Sequence, residues 1–297
     1  SPRDWDPSGV LVASFALFFA MILSDAGYGA LVALAALALW PRMGRAAQGR
    51  RLRVLMLVLG LTSVLYGIAA GSYFGLPPPD GSLLAALVLL DPRDPQTMMS
   101  LTIGIGVVHV ALGSAAVAWR RWPDSRALAG IGWIAVALGG FVAWRAHVAG
   151  ATELRGLGFG LAGAGLLAVL LFRGSHHPAG LRGLLARAGE GLLGLGMAPQ
   201  MFGDVLSYLR LFALGLASAS LAVTFNGLSA DVADGVGGMG LLVAILVAVV
   251  GHGLNFPLAL VGGIVHGMRL NFIEFYNWGL TEEGYAYRPL ERKELRL

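Results

Sequence analysis

Arg210 lies inside a long apolar run, between Asp204 and Ser220. A guanidinium keeps its positive charge at physiological pH. A charged side chain at the centre of a bilayer costs from roughly 3 to over 10 kcal/mol. Arg210 therefore either snorkels to a lipid headgroup or has a polar partner within the membrane. The length of apolar sequence on both sides of it favours a partner, and hence a functional role.

A second arginine, Arg269, lies in the apolar run from about 237 to 279, which we expect to be one helix kinked at Pro257. Residues three, four and seven apart share a helical face. One flank of this helix therefore contains Gly251, Asn255, Gly262, His266, Arg269 and Tyr276. His252 borders this flank and Glu274 lies further round. Such a line of polar side chains predicts a hydrated path for protons or other ions, whereas each one singly is also explained by a hydrogen bond between helices.

Small residues form a row on the Arg210 helix, because positions seven apart lie within about 20° of each other. The row contains Gly196, Gly203, Arg210, Ala217 and Thr224. Gln200 and Ser207 lie beside the row, and Asp204 lies further round. Small side chains allow another helix to pass closely. Ordinary packing inside a bundle explains the glycines equally well, but it does not explain the arginine.

Two further polar residues carry weaker signals. Asp25, in the segment Ser24–Gly29, is expected to cap a helix rather than to ligate an ion. His109 is expected to form a hydrogen bond within the bundle. His176 and His177 are adjacent and cannot share a helical face, so we predict no metal site. No motif for a nucleotide, another cofactor or a catalytic nucleophile is found in a usable context, which predicts a chain without catalytic activity of its own.

The composition is that of a membrane protein. Hydrophobic residues make up 57% and charged residues 13% of the sequence, and the mean hydropathy is +0.73. Period-two alternation is absent, which predicts helices rather than a barrel. The net charge of +4 comes from arginines in short loops between apolar runs. They are expected to orient the chain in a lipid bilayer rather than to bind nucleic acid.

The apolar runs predict an all-α, polytopic membrane bundle that forms a single domain over 1–297. A four-helix section covers 52–173, with spans at about 52–74, 97–118, 127–148 and 154–172. Two longer helices cover 189–279 and must tilt steeply, since about 40 residues extend roughly 60 Å. The stretch 9–40 is either one tilted helix or two short ones.

The charges of the loops indicate whether 9–40 is one helix or two, and how the chain is oriented in the membrane. Arginine-rich loops alternate with acidic or neutral loops from residue 41 onward, and arginine-rich loops mark the cytoplasmic side. We therefore predict that 9–40 is a hairpin and that the chain has about eight helices. Both termini, including the tail 280–297, are then cytoplasmic. Leu83–Leu90 is too short to span and is expected to be interfacial. The arginine-rich, cysteine-free composition suggests a prokaryotic plasma membrane.

Two motifs on the last two helices resemble those of one family. They are Ser207-Tyr-Leu-Arg-Leu-Phe-Ala-Leu-Gly-Leu-Ala217 and His266-Gly-Met-Arg-Leu-Asn-Phe-Ile-Glu274. Together with Ser24-Asp-Ala-Gly-Tyr-Gly29, Gly71-Ser-Tyr-Phe-Gly75 and Gly106-Val-Val-His-Val-Ala-Leu-Gly113, they are similar to the membrane half of subunit a (subunit I) of V-type and archaeal-type rotary ATPases. We expect the chain to be the membrane portion of a longer polypeptide.

The resemblance implies a stator subunit that forms two ion half-channels against a ring of proteolipid (c) subunits. It places Arg210 and Arg269 at the ring interface, with His266 one turn before the second arginine. It implies that Gly196, Gly203, Ala217 and Gly262 pack against the ring. A cytoplasmic N-terminal half and peripheral stalk subunits are the other implied partners. Glu190 and Asp204 both flank the region where some members carry a half-channel glutamate. The alternative is a secondary transporter or channel that binds an anionic substrate through the two arginines.

Overall fold

The computed structural model describes residues 5–92, 94–174, 181–235 and 239–280, and every regular element in these ranges is helical. Most of the predicted tail 280–297 and the pair His176–His177 lie outside the described residues. The elements in chain order are α1 (Ser8–Leu23), α2 (Ala26–Ala38), α3 (Trp40–Met43), α4 (Ala47–Ala70), α5 (Leu83–Ala86), α6 (Pro95–Arg121), α7 (Ala127–Val148), α8 (Thr152–Phe172), α9 (Leu181–Leu195), α10 (Ala198–Leu206), α11 (Leu209–Gly235), α12 (Gly240–Arg269), a π-helical turn (Leu270–Phe275) and α13 (Tyr276–Gly279).

Six helical stretches within the described residues are long and apolar enough to cross a membrane. Four of them are α4, α6, α7 and α8, and the other two run from Gly189 to Gly235 and from Gly240 to Gly279. The shorter apolar helices α1 and α2 bring the number of apolar helices to about eight. The predicted fold class, an all-α membrane bundle, is therefore confirmed.

The stretch 9–40 consists of two helices that meet at Ser24 and Asp25. Ser24 has a left-handed backbone (φ 52°), which ends α1, and the Asp25 carboxylate accepts the first-turn amide of Tyr28 at 3.0 Å. The prediction that Asp25 caps a helix is confirmed. The helix α2 runs antiparallel to α4, with Gly29 against Ser63 and Gly60 against Ala33.

Glycines allow the helices of the four-helix section to approach closely. A Cβ atom on Gly132 would lie 2.7 Å from the carbonyl oxygen of Gly165, and one on Gly139 would lie 2.7 Å from that of Gly158. The helices α7 and α8 therefore pack backbone to backbone. This is the packing expected where no hydrophobic effect drives helices together within lipid.

The Arg210 helix is interrupted, and the prediction of one continuous helix from about Gly189 is wrong. One break follows α9 at Gly196 and Met197, where Pro199 begins the next helix, since proline suits a first turn. The second break is at Ser207 and Tyr208. There the amides bond to carbonyls only three residues back, Arg210 to Ser207 at 3.3 Å among them. Arg210 consequently lies in the first turn of α11.

The last helix, α12 through α13, is continuous, but its turn at Leu270–Phe275 is π-helical. A π-helical turn widens the helix locally and changes which later residues share a face. Glu274, which the regular spacing places away from the arginine flank, is only 1% exposed. Tyr276 is half-buried. The end of this helix packs on α6, where Gly113 faces Gly279.

Candidate functional site

The polar residues of the last two long stretches form two separate groups. The first, here the Arg210 cluster, contains Asp204, Ser207, Arg210, His266, Arg269 and Glu274. The second, here the Tyr28 cluster, contains Tyr28, Asn226, His252 and Asn255. His252 and His266 are fourteen residues apart on one helix, a separation of about 21 Å. The predicted single line of polar side chains is thus divided in two.

The two arginines converge on His266 from different helices. The charges of Arg210 and of Arg269 both act on the imidazole of His266. Arg210 and His266 are half-buried, whereas Arg269 is exposed. Among the described residues, neither Arg210 Nη1 nor His266 Nδ1 has a hydrogen-bond partner, although both atoms are buried. The cluster therefore contains a guanidinium donor and an imidazole nitrogen whose hydrogen-bonding capacity is not used by the described residues.

A buried carboxylate lies beside these cations. Glu274 is acted on by the charges of Arg269 and Arg210, and the Ser207 side chain lies next to it. Its Oε2 atom is buried without a hydrogen-bond partner in the part of the chain that the structure describes. The charges of the two guanidinium groups favour the ionised form of Glu274, whereas its burial favours the neutral form.

Aromatic side chains hold the cluster in place. The indole nitrogen of Trp278 donates to Asp204 Oδ2 at 2.7 Å, and the charges of Asp204 and Glu274 reach Tyr208. The Tyr208 hydroxyl bonds to His109 Nδ1 at 2.7 Å, and the His109 ring stacks on Phe275 at 4.6 Å. The hydrogen bond predicted for His109 is confirmed. The roles of Tyr208 and Trp278 were missed, since aromatic residues are common in apolar helices and carry no special signal.

The Tyr28 cluster is a continuous hydrogen-bonded network between α2, α11 and α12. The hydroxyl of Tyr28 lies 2.7 Å from His252 Nδ1, and His252 Nε2 lies 2.9 Å from Asn226 Oδ1. Asn255 donates to the Tyr28 hydroxyl at 3.2 Å and to the Ser218 carbonyl at 2.9 Å. His252 and Asn255 were predicted from their spacing. Tyr28 and Asn226 were not, because each is far from them in sequence.

A cavity of about 700 Å³ lies beside the loop after α4, and Asp25 connects its wall to the first turn of α2. The Asp25 carboxylate, which caps Tyr28, also accepts the Ser72 hydroxyl at 2.7 Å and the Gly75 amide at 2.9 Å. Ser72 and Gly75 line the cavity together with Asp80 and Asp91 from the loop and Thr224 from α11. Polar groups therefore lead from the helices to the loop side of the molecule.

The predicted row of small residues faces outward. Gly196, Gly203, Ala217 and Thr224 are exposed, as is Gln200 beside them. A Cβ atom on Gly203 would meet nothing within 4 Å, and one on Gly262 would meet only Ile22, at 3.8 Å. The surface next to Arg210 is thus open to a neighbouring helix. The described residues contain no group of three His, Asp or Glu placed to hold a metal ion.

The fold and these clusters define a polytopic helical membrane protein with charged groups at an open helical face.

No protein-family model matches the chain. It is 28% identical over 361 residues to V-type ATP synthase subunit I of Chlamydia pneumoniae, 27% over 321 residues to A-type ATP synthase subunit I of Methanocaldococcus jannaschii and 28% over 305 residues to V-type ATP synthase subunit I of Borreliella burgdorferi.

These alignments cover 97%, 97% and 98% of this chain and 51%, 45% and 50% of the respective relatives. The chain therefore spans about half the length of the curated relatives it matches. The resemblance inferred from the motifs is confirmed: over nearly its whole length the chain is similar to about half of subunit I of V-type and A-type ATP synthases, and it is an integral membrane protein.

Proposed function

We propose that the chain is the stator subunit that conducts ions past a rotating proteolipid ring in a V/A-type rotary ATPase. The observation that carries this proposal is the convergence of Arg210 and Arg269 on His266 and Glu274. These groups lie next to an outward row of small residues, with open space at Gly203. A ring subunit can approach such a face closely enough for its carboxylate to meet the arginines.

The fixed charge of Arg210 drives the exchange of ions. A ring carboxylate that enters lipid must be neutral, because a buried charge is expensive. Next to a guanidinium its ionised form is favoured, so it releases its ion there and only there. An arginine is required because a lysine can lose its own proton in an apolar environment and then no longer act as a cation.

The two clusters supply the two half-channels in this proposal. The Arg210 cluster, with Asp204 and Glu274, serves the cytoplasmic side, where the arginine-rich loops and both termini lie. The Tyr28 cluster and the cavity near Asp25 serve the opposite side. Since the nearest members of the two clusters on the last helix, Asn255 and His266, are about 16 Å apart, an ion crosses only by riding on the ring, and the positive charge of Arg210 blocks a direct leak.

In the proposed complex, other parts of the stator hold the chain in place within the membrane. A cytoplasmic N-terminal half and the peripheral stalk hold this membrane half against the ring. The complex lies in a bacterial or archaeal plasma membrane, and the chain itself binds no nucleotide. ATP chemistry belongs to other subunits.

Replacement of Arg210 tests the mechanism in the assembled complex reconstituted in vesicles. We expect Arg210→Ala and Arg210→Lys to abolish ATP-driven ion pumping, at least a hundredfold, while the complex still assembles. The exposed Arg51, on the same predicted side, provides the matched control Arg51→Ala, which is expected to pump normally. Retained pumping in Arg210→Ala would exclude this mechanism. Saturable solute flux through the isolated chain would instead favour a secondary transporter.

A further inference from the structure

A second cavity lies where α6, α8 and the last helix end, and Trp278 in its wall donates to Asp204 of the Arg210 cluster. Its volume is about 310 Å³, within the range of small-ligand sites, which begins near 300 Å³. Its wall includes Arg121, Arg126, Arg173, Ser114, Trp133 and Trp278. We call it the basic cavity.

The basic cavity concentrates positive charge. The charges of Arg126 and Arg173 both act on Arg121, although like charges brought together repel one another. Arg126 is paired with Asp124, with 2.6 Å between Nη2 and Oδ2, and the charge of Asp124 also acts on Arg121, which partly offsets the repulsion. Among the described residues that line the cavity, none is an aspartate or glutamate. The arrangement is therefore complementary to an anion.

A buried hydroxyl on the same wall lacks a partner. Ser114 is 3% exposed, and its Oγ has no hydrogen-bond partner among the described residues. Leaving such a group unsatisfied costs free energy, so a ligand oxygen that accepts from it would be stabilised. The rings of Trp133 and Trp278 meet edge to face at 5.2 Å and make a rigid wall behind it.

Arginines in cytoplasmic loops orient membrane proteins, and this accounts for where in the sequence these three occur. It does not account for their convergence on one cavity that also contains an unpaired hydroxyl. Guanidinium groups match phosphate oxygens in a bidentate geometry. Trp119 and Trp122 nearby are 85% and 68% exposed, which places this end of the bundle at the membrane interface.

We propose that the basic cavity binds a phosphate group, with Arg121 and Arg173 holding its oxygens and Ser114 donating a hydrogen bond. Basic pockets between helices on the cytoplasmic side are suited to anionic lipid headgroups, and free phosphate offers the same oxygens. The proposal is independent of ion translocation, because none of its arginines belongs to the Arg210 cluster.

Binding is tested on the full chain purified in a neutral detergent. Inorganic phosphate, soluble short-chain phosphatidylglycerol and the zwitterionic phosphatidylcholine analogue are titrated separately. Binding is followed by tryptophan fluorescence, because Trp133 and Trp278 line the cavity, and by native mass spectrometry. We expect saturable binding of phosphatidylglycerol that exceeds binding of phosphatidylcholine. If inorganic phosphate binds as well, a free anion is sufficient; if it does not, the source is lipid.

The variants Arg121→Gln, Arg173→Gln and their combination are expected to weaken binding, the double variant at least tenfold. Arg51→Gln removes a comparable charge elsewhere and is expected to bind normally, with thermal melts confirming that each variant folds. If the double variant does not fold, the two single variants decide.

The proposal is overturned if neither phosphate compound binds or if the arginine variants bind normally. Binding that appears only after Glu282→Gln and Glu283→Gln also overturns it, because the arginines would then serve the chain's own carboxylates.

Discussion

His266 is the residue on which the two positive charges of the Arg210 cluster act together. Its Nδ1 is buried without a hydrogen-bond partner among the described residues, and an imidazole nitrogen can take up and release a proton. It does not carry a fixed charge, however, so it cannot replace either arginine in favouring an ionised carboxylate.

We therefore expect His266→Ala to slow ion pumping by roughly three- to tenfold, less than the roughly 100- to 10,000-fold that an essential general acid–base group contributes, and to alter the pH dependence of pumping. The measurement is the pH profile of ATP-driven pumping in vesicles, compared with that of Arg210→Ala. His266→Gln, which keeps a polar side chain, is the matched variant. A loss as complete as that of Arg210→Ala would show that the imidazole is indispensable.

Single residues were predictable where the signal is local. Asp25 could be identified as a cap because it precedes an apolar helix, and its bond to the Tyr28 amide spans three residues. The bond between Tyr28 and His252 spans 224 residues. Nothing in the local pattern around either residue indicates the other, so the Tyr28 cluster emerged only from the three-dimensional packing.

Helix extents followed closely from hydropathy. The predicted spans 127–148 and 154–172 correspond to Ala127–Val148 and Thr152–Phe172. The breaks and the π-helical turn did not follow, because hydropathy reports burial in lipid and not the backbone path. Pro199 after Gly196 was an available signal for one break. The break at Ser207 and the π-helical turn after Arg269 have no comparable signal in the sequence.

The glycines of the helices are of two kinds: some face another helix of the chain, and others face outward. In Gly60→Leu, the new Cβ would lie 2.6 Å from the Ala33 amide nitrogen. We expect this variant to destabilise the fold by about 1–3 kcal/mol through overpacking. In Gly203→Leu, the new Cβ would meet no atom within 4 Å, and we expect this variant to leave the stability of the chain unchanged.

The same two variants separate folding from association. Gly203→Leu is expected to weaken copurification with the ring and to slow rotation, because the leucine occupies the space that a ring helix needs. Thermal melts of the chain and ring copurification are measured in parallel. Normal coupling in Gly203→Leu would argue against close approach of the ring at this position.

At the scale of the molecule, composition was sufficient to predict a helical membrane protein, because few soluble folds tolerate so little charge. The orientation of the chain rests on the arginine-rich loops alone. The proposed rotary role rests on the resemblance and not on composition or spacing. The sequence indicates that a fixed positive charge lies within the membrane, but the partner that contacts this charge is not encoded in it.

Orientation can be measured directly, since the chain contains no cysteine and each introduced thiol is unique. We expect a cysteine at Arg50 to react with a membrane-impermeant maleimide only in inside-out vesicles. One at Asp231 is expected to react only in right-side-out vesicles or intact cells. The reverse pattern at either position would contradict the predicted topology, and with it the assignment of sides to the two clusters.

The interruption before Arg210 has a mechanical consequence. Because α10 and α11 are not one rod, the height of the guanidinium is fixed by what holds Tyr208, and that residue is bonded to His109 on α6. If a ring subunit contacts Arg210 as we propose, a force on this residue is transmitted through Tyr208 and His109 to α6 rather than along one continuous helix. The hydrogen bond between Tyr208 and His109 therefore supports the start of α11, where Arg210 lies.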